Sequence, residues 1–124
     1  MSAGDARAAH SPSSALQVSR EDTQDALVLL FTGELDITTL PLARAELVDA
    51  ERGNSPVLLV DLSRLRFMDS SGVRLVLQAD SRARDANRRL VIIPGERPRR
   101  VFELLGLLNR LELVSSRAEA VRQL

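Results

Sequence analysis

The fold is decided by the stretch VLLVDLSRLRFMDSSGVRLVL, which occupies residues 57–77. Its first part, residues 57–62, is a short continuous apolar run that predicts a buried strand, and a helical pattern begins at residue 73. The segment FMDSSG (67–72) therefore precedes a helix, where unpaired N–H groups and the positive end of the helix dipole lie. A phosphate is tolerated in such a place. The motif therefore fits three roles: a helix cap, a nucleophile or a phosphorylation switch.

Strands and helices alternate on both sides of this stretch. Periodicity predicts five strands, at residues 16–19, 26–32, 57–62, 90–93 and 111–114. Four helices are predicted, beginning at Thr38 or Thr39, at the central motif, near Pro98, and after Ser115 or Ser116. The order β-β-α-β-α-β-α-β-α implies an α/β fold with a mixed, mostly parallel sheet of about five strands, about four packed helices and an antiparallel hairpin at the first edge.

The helical spacing of apolar residues also predicts which side chains face the core. These are Leu40, Ala43, Leu47 and Ala50 in the first helix, and Val73, Val76, Leu77 and Ala83 in the second. In the third and fourth helices they are Val101, Leu104, Leu105 and Leu108, then Ala118, Val121 and Leu124. Gly33 is predicted to end the second strand, and residues 63–68 to connect the third strand to the motif.

The chain of 124 residues fits one domain, and its hydrophobic content of 44% is enough for a core. That core must be aliphatic, because aromatic residues make up only 2%. Residues 1–14 are mostly small or polar, which predicts a disordered tail before a domain that spans residues 15–124. No run approaches the ~18 apolar residues needed to cross a bilayer, and no apolar leader is present, so we expect a cytoplasmic protein without membrane insertion.

Composition excludes several kinds of catalysis. The chain has no cysteine, its one histidine is His10 in the predicted tail, and all 17 basic residues are arginine. Disulfides, thiolate chemistry, metal sites built on several histidines and a Ser-His-Asp triad are therefore excluded by count. A Gly-rich phosphate loop ending in lysine is also missing, so we expect neither ATP binding nor a cofactor. The formal net charge of zero offers no general attraction to nucleic acid.

Three predicted loops follow strands and should meet at the carboxyl end of the sheet, namely residues 33–36, 65–71 and 94–97. Two of them carry Asp36 and Asp69. These carboxylates could hold Mg²⁺ for a small hydrolase or phosphotransferase, or they could cap helices. Since no long loop is available to build a pocket, we favour a charged recognition rim over a metal or catalytic site.

The segment Arg97–Arg100 is the one basic cluster of note. A solvated helix face is its simplest interpretation, and contact with an acidic partner or a phosphate is the functional one. Direct binding of nucleic acid is disfavoured, because no aromatic platform accompanies the arginines.

For the central motif, the residues alone leave two roles open. Ser70 or Ser71 could cap the helix, as serine commonly does, or one of them could be a phosphorylation switch. Covalent serine catalysis is disfavoured, since the G-x-S-x-G frame and a histidine base are both absent.

The sequence resembles the STAS domain and, more narrowly, the bacterial anti-sigma factor antagonists. The resemblance rests on GELD at 33–36, VDLS at 60–63, MDSSGV at 68–73 and RVFELLGL at 100–107, and it covers about residues 15–124. It implies a single small α/β domain that is not an enzyme and that acts by switching partners.

This resemblance also implies a mechanism. The unphosphorylated antagonist binds an anti-sigma factor, which is also a serine kinase, and so frees a sigma factor for transcription in responses such as stress. The kinase phosphorylates the serine directly after the motif aspartate, here Ser70, the phosphoprotein lets go, and a serine phosphatase restores it. By the same resemblance, Asp36 and Asp69 flank the acceptor on the binding surface, and Ser71 and Gly72 shape the helix start.

Two adjacent positions depart from the family pattern. Val73-Arg74 stands where many antagonists carry Leu-Gly, so Arg74 is expected on a different partner surface or beside the phosphate. The resemblance leaves a second assignment open, a STAS subunit of a lipid-transport complex or of a stress-signalling scaffold. The complete Asp-Ser-Ser-Gly motif favours the switch. Exposed aliphatic surface near it would serve a partner or a weak homodimer.

Overall fold

The structure, a computed structural model, describes residues 15–122. Within that range the chain forms five strands and four helices in the predicted order. The strands are β1 (Leu16–Asp22), β2 (Leu27–Leu35), β3 (Val57–Met68), β4 (Arg89–Ile93) and β5 (Glu112–Leu113). The helices are α1 (Leu40–Glu51), α2 (Ser70–Asp85), α3 (Glu96–Leu104) and α4 (Arg117–Arg122). The predicted tail, residues 1–14, lies outside the described residues.

The five strands of the described range form one mixed sheet in the order β1-β2-β3-β4-β5. The first two are an antiparallel hairpin, and each later neighbouring pair is parallel. Parallel strands that follow each other in sequence need a crossover, and right-handed crossovers in this order place α1, α2 and α3 on one face of the sheet. The predicted fold class, an α/β domain with a mostly parallel sheet and an antiparallel edge hairpin, is confirmed.

Each face of the sheet has its own apolar core. The larger core lies under α1, α2 and α3 and contains Phe31 and Phe102, two of the three phenylalanines of the chain. The smaller core lies on the other face, where Ala120 of α4 packs with aliphatic side chains of the strands. These strand residues are Val28, Val57, Leu59, Val91 and Ile93. Both faces of the parallel strands are therefore buried, which explains why residues 57–62 form a continuous apolar run.

Strands β2 and β3 extend further than their sequences predict. They stay paired as far as Leu35 and Met68, with two shifts of register on the way. Gly33 does not end β2 but carries it through an irregular position with φ of 111°, and a Cβ there would lie 2.1 Å from the carbonyl oxygen of Ala15. The predicted connection at 63–68 is part of β3, because its exposed polar side chains hide a strand from a search for apolar runs.

The inward faces of the last two helices differ from those predicted. In α3, Pro98 and Phe102 are buried, whereas Leu104 is 75% exposed and Leu105 is 51% exposed. In α4, Ala120 is buried and Val121 is exposed. Short helices offer few turns from which to read a periodic stripe, so an error of one or two residues in the starting point rotates the predicted face. Leu124 lies outside the described residues.

Between residues 15 and 122, the structure has no helix that combines the length and the apolar character needed to cross a membrane.

Candidate functional site

The pairing of β2 with β3 brings two aspartates together. Leu35 and Met68 are the last partners of the parallel ladder, and the amide of Asp69 donates a hydrogen bond of 3.2 Å to the carbonyl of Leu35. Asp36 and Asp69 are therefore the first residues beyond the ends of neighbouring strands. Their loops meet at the carboxyl end of the sheet, as predicted from the alternation of strands and helices.

The third predicted loop, residues 94–97, lies beside the middle of β3, and the two aspartate turns lie beyond its end. β4 ends at Ile93, which pairs with Asp61, whereas β3 continues to Met68. Gly95 packs directly against Ser63, since a Cβ at Gly95 would lie 2.6 Å from the Ser63 Cα. The predicted convergence of all three loops is wrong for this one, because the extension of β3 carries the aspartate loops beyond it.

Asp69 forms the start of α2. It is the N-cap residue, with extended backbone angles (φ −104°, ψ −174°), and its carboxylate points back into the first turn. The Oδ1 atom accepts hydrogen bonds from the Ser71 amide at 3.0 Å, the Gly72 amide at 3.3 Å and the Ser71 hydroxyl at 2.5 Å. Two of the four unpaired N–H groups of the helix are thereby satisfied, so the cap is an aspartate and neither serine.

Asp36 has the same arrangement at the end of β2. Its Oδ1 accepts from the Thr38 amide at 2.9 Å, the Thr38 hydroxyl at 2.7 Å and the Thr39 amide at 3.2 Å. These bonds, of which the Thr38 hydroxyl is the strongest contributor, hold the pKa of the Asp36 carboxyl below its usual value against a smaller opposing effect of burial. The hydroxyl of Thr39 bridges the turn instead of capping α1, since it donates to the Glu34 carbonyl at 2.9 Å.

The two serines of the motif differ in their burial and in the hydrogen bonding of their hydroxyl groups. Ser71 is half-buried and its hydroxyl is held by Asp69. Ser70 is exposed, occupies the first position of α2, and its hydroxyl has no hydrogen-bond partner within residues 15–122. The signal that could have shown this is the spacing Asp-x-Ser, in which the aspartate binds the hydroxyl two residues later and makes no such bond with the intervening residue.

That spacing recurs twice more in the described part of the chain. Asp36 binds the hydroxyl of Thr38, and Asp61 binds the hydroxyl of Ser63 at 2.6 Å. The intervening residue of the Asp36 turn, Ile37, is 67% exposed. In the turns of Asp36 and Asp69, which lie at the strand ends, the residue after the aspartate faces solvent, whereas Leu62, which follows Asp61 within β3, is buried. In the central motif that residue is Ser70.

Gly72 lets α2 begin against the ends of the two strands. A Cβ at this position would lie 2.9 Å from side-chain atoms of both Leu35 and Met68. Either of those buried side chains would have to shift to admit it, because contacts this short are outside the normal van der Waals range. The glycine thus fixes how closely the helix start, and with it Ser70, sits on the sheet.

Exposed apolar side chains flank the serine. Ile37 lies on the neighbouring turn, and Phe67, which is 48% exposed, precedes the motif on β3. Near them are one ion pair, Arg66 with Glu34 at 3.8 Å, and the exposed Arg74 of α2. Ile37 and Phe67 were not among the predicted site residues, since an apolar side chain in a sequence gives no sign that it stays exposed.

The arrangement is suited to contact with another molecule at the protein surface. Among residues 15–122 no group of three or more histidine, cysteine, aspartate or glutamate side chains is placed to hold a metal ion. In both Asp36 and Asp69, the Oδ1 atom already accepts hydrogen bonds from residues of the same turn. The site thus combines an exposed hydroxyl, two acidic turns and two apolar side chains on one end of the sheet.

Comparison with known proteins assigns the class to which this fold and site belong. The family model of the STAS domain matches residues 17–120. The chain therefore belongs to the STAS domain family, and the family recognised from its motifs is confirmed.

Relatives within that family carry a narrower name. An anti-sigma F factor antagonist from Lysinibacillus sphaericus is 36% identical over 90 residues, which are 68% of this chain and 74% of the relative. Among solved structures, the anti-sigma factor antagonist SpoIIAA in its unphosphorylated form is similar with a TM-score of 0.70 at 29% identity, covering 88% of this chain and 95% of that one. The Bacillus cell fate determinant SpoIIAA in the phosphorylated form gives a TM-score of 0.64 at 29% identity, covering 88% and 98%.

Proposed function

We propose that this protein is an anti-sigma factor antagonist whose affinity for its partner is switched by phosphorylation of Ser70. In the unmodified state it binds an anti-sigma factor that is also a serine kinase, and so releases a sigma factor. The observation that carries the proposal is the difference between the two serines: Ser70 is exposed and its hydroxyl has no hydrogen bond to any residue between 15 and 122, whereas the Ser71 hydroxyl is bound by Asp69. Relatives named anti-sigma factor antagonists, one of them solved in a phosphorylated form, support the assignment.

The partner supplies the chemistry of phosphoryl transfer. No lysine-ending phosphate loop exists in this chain, so the ATP and its Mg²⁺ come with the kinase. The present chain contributes the acceptor oxygen, held at a helix N-terminus where N–H groups and the dipole tolerate added negative charge. A separate serine phosphatase returns the protein to its binding state, and the protein itself acts as a regulator without turnover.

Phosphorylation at this position changes the surface without requiring the fold to change. Within residues 15–122 the Ser70 hydroxyl makes no hydrogen bond, so its esterification breaks none. A phosphoserine adds about −1.5 to −2 charges at neutral pH. That charge is added beside the turns of Asp36 and Asp69, where the carboxylates are already negative. The partner is released by repulsion and by the bulk of the phosphate.

The unmodified surface has the composition of a small protein-binding patch. Ile37 and Phe67 are exposed apolar side chains on the two strand ends that carry the aspartates. Apolar side chains that become fully desolvated at the centre of an interface supply most of its binding energy, and the surrounding polar groups supply register. We therefore assign Ile37 and Phe67 as anchors for the anti-sigma factor, with Asp36, Asp69 and Arg74 around them.

The assignment is tested by treating the protein with its cognate kinase and ATP and mapping the phosphate by mass spectrometry. The matched variants are Ser70→Ala and Ser71→Ala. The proposal requires one phosphate on Ser70, none on the Ser70→Ala protein, and modification of the Ser71→Ala protein at Ser70. A stable, stoichiometric complex that forms equally well with wild type and Ser70→Glu would instead identify a structural STAS subunit of a larger assembly, such as a transport or signalling scaffold.

A further inference from the structure

Arg74 lies one helical turn from Ser70 on α2. Residues four apart in an α-helix share a face, and helical side chains lean toward the N-terminus, so the long side chain of Arg74 can extend over the turn that carries Ser70. Both residues are exposed. This placement gives a cation access to the oxygen atoms of any group attached to the Ser70 hydroxyl.

Arg74 is also uncommitted, unlike Arg66 on β3 and the arginines in the last turn of α2. Arg66 pairs with Glu34 at 3.8 Å, Arg82 with Glu51 at 2.8 Å, and Arg84 with Asp80 at 3.0 Å. Within residues 15–122, Arg74 has neither an ion-pair partner nor a hydrogen-bond partner for its side chain. Its guanidinium can therefore bind a new anion without breaking an existing contact.

We propose that Arg74 binds the phosphate of phosphorylated Ser70 within the same chain, an inference that rests on the proposed function of Ser70 as the acceptor. The planar guanidinium donates two parallel N–H groups to two phosphate oxygens, a geometry that arginine supports and lysine does not. The other charged groups around the phosphate are Asp69 in the same turn, Asp36 in the neighbouring turn, and the Arg66–Glu34 pair. Arg74 is therefore the nearby cation that no carboxylate of the described chain already neutralises.

This contact changes how the switch works. Without it, a phosphate with about two charges would stand beside two carboxylates, and its second ionisation would be opposed. With it, the guanidinium stabilises the dianion and cancels about one of its charges. The phosphorylated surface then differs from the unmodified one by the added negative charge and bulk of the phosphate and by a repositioned Arg74, which is withdrawn from any contact it makes with the partner.

The test uses protein with phosphoserine inserted at position 70 during synthesis, so that no kinase is needed. The second pKa of the phosphate is measured by phosphorus NMR in the otherwise wild-type chain and in Arg74→Gln, Arg74→Lys and Arg52→Gln. Arg52→Gln is the matched control, because it removes the same charge from a side chain that is 76% exposed and only weakly paired, with Asp49 at 3.9 Å. Arg52 follows the end of α1, far along that helix from the turn of Asp36.

We expect Arg74→Gln to raise the phosphate pKa by about 0.5 pH unit, as the loss of an exposed charge-assisted pair predicts. Arg74→Lys should give a smaller rise and Arg52→Gln none, and the effect should fade at high salt. An unchanged pKa in Arg74→Gln, with the fold intact by circular dichroism, overturns the inference. Because the phosphate is installed during synthesis, a protein that shows the expected shift yet is not phosphorylated by the kinase would disprove the proposed function alone.

Discussion

The hydroxyl of Ser71 donates a 2.5 Å hydrogen bond to the Asp69 carboxylate, and this single contact gives two adjacent serines different roles. Asp69 uses the same oxygen to bind the amides of Ser71 and Gly72, so Asp69 is the cap and the Ser71 hydroxyl is tied to it. Ser70 contributes nothing to that network. It is free to carry a modification that the helix start does not have to accommodate.

Stability should respond to this difference between the serines. Replacing Ser71 by alanine removes a hydrogen bond to a charged group at the helix start and should lower the free energy of unfolding by about 1 kcal/mol. Replacing Ser70 by alanine removes no hydrogen bond of the described chain and should leave stability nearly unchanged. Urea denaturation of the two variants measures the difference. Equal stabilities would show that the contact with Asp69 does not hold the first turn of α2.

The turn of Asp36 should make stability depend on acid pH. Its pKa is lowered chiefly by the Thr38 hydroxyl, so the group favours the folded state fully above the unfolded pKa of about 3.9. That contribution is lost as the pH falls through the lower folded pKa. Thr38→Val should therefore raise the pKa of Asp36 in an NMR titration and reduce the loss of stability in acid. Thr38→Ser keeps the hydroxyl and serves as the control; an unchanged Asp36 pKa in Thr38→Val would contradict the assigned cause.

Gly33 should be intolerant of substitution although it lies within a strand. Its φ is 111°, and a Cβ added there would lie only 2.1 Å from the Ala15 carbonyl oxygen, so Gly33→Ala forces β1 and β2 apart. We expect a loss of more than ~2 kcal/mol in unfolding free energy. Gly106→Ala is the control, since it shares a positive φ of 71° but meets no neighbouring atom, and it should cost only about 1 kcal/mol. Similar losses in both variants would rule out the steric explanation.

The apolar anchors should affect binding without affecting folding. Ile37→Ala and Phe67→Ala truncate exposed side chains, so their unfolding free energies should stay close to that of wild type. Each should weaken the complex with the anti-sigma factor by about fivefold or more, the effect expected at the centre of an interface. Leu104→Ala is the matched control. Leu104 is 75% exposed, and it is the last residue of α3, away from the carboxyl end of the sheet where Ile37 and Phe67 lie. Undiminished affinity in both anchor variants would move the interface elsewhere.

The order of elements could be predicted from the sequence because each strand and helix has its own periodicity and its own stop signals. The extent of β3 could not, since the polar residues of 63–68 alternate with Leu65 and are paired only through shifted register with β2. The extension of β3 determines which loops lie at the same height along the strands. It places the Asp36 and Asp69 turns together and leaves the 94–97 loop beside Ser63.

The candidate site could be predicted only in part from the sequence. Two aspartates and two serines stand out by residue type, but the assignment of Ser70 over Ser71 rests, in the sequence, on a family resemblance. The hydrogen bonds of Asp69 give a physical reason for the same choice. The exposure of Ile37 and Phe67 depends on how the turns fold over the sheet, which local sequence does not encode.

The most direct test of the Ser70 switch is the affinity of the anti-sigma factor for two forms of this protein, one unmodified and one phosphorylated on Ser70 alone, measured by titration calorimetry. We expect the phosphate to weaken binding by at least about tenfold, which is ~1.4 kcal/mol, with no change in the circular dichroism of the antagonist. Equal affinity of the anti-sigma factor for the two forms would contradict the switch.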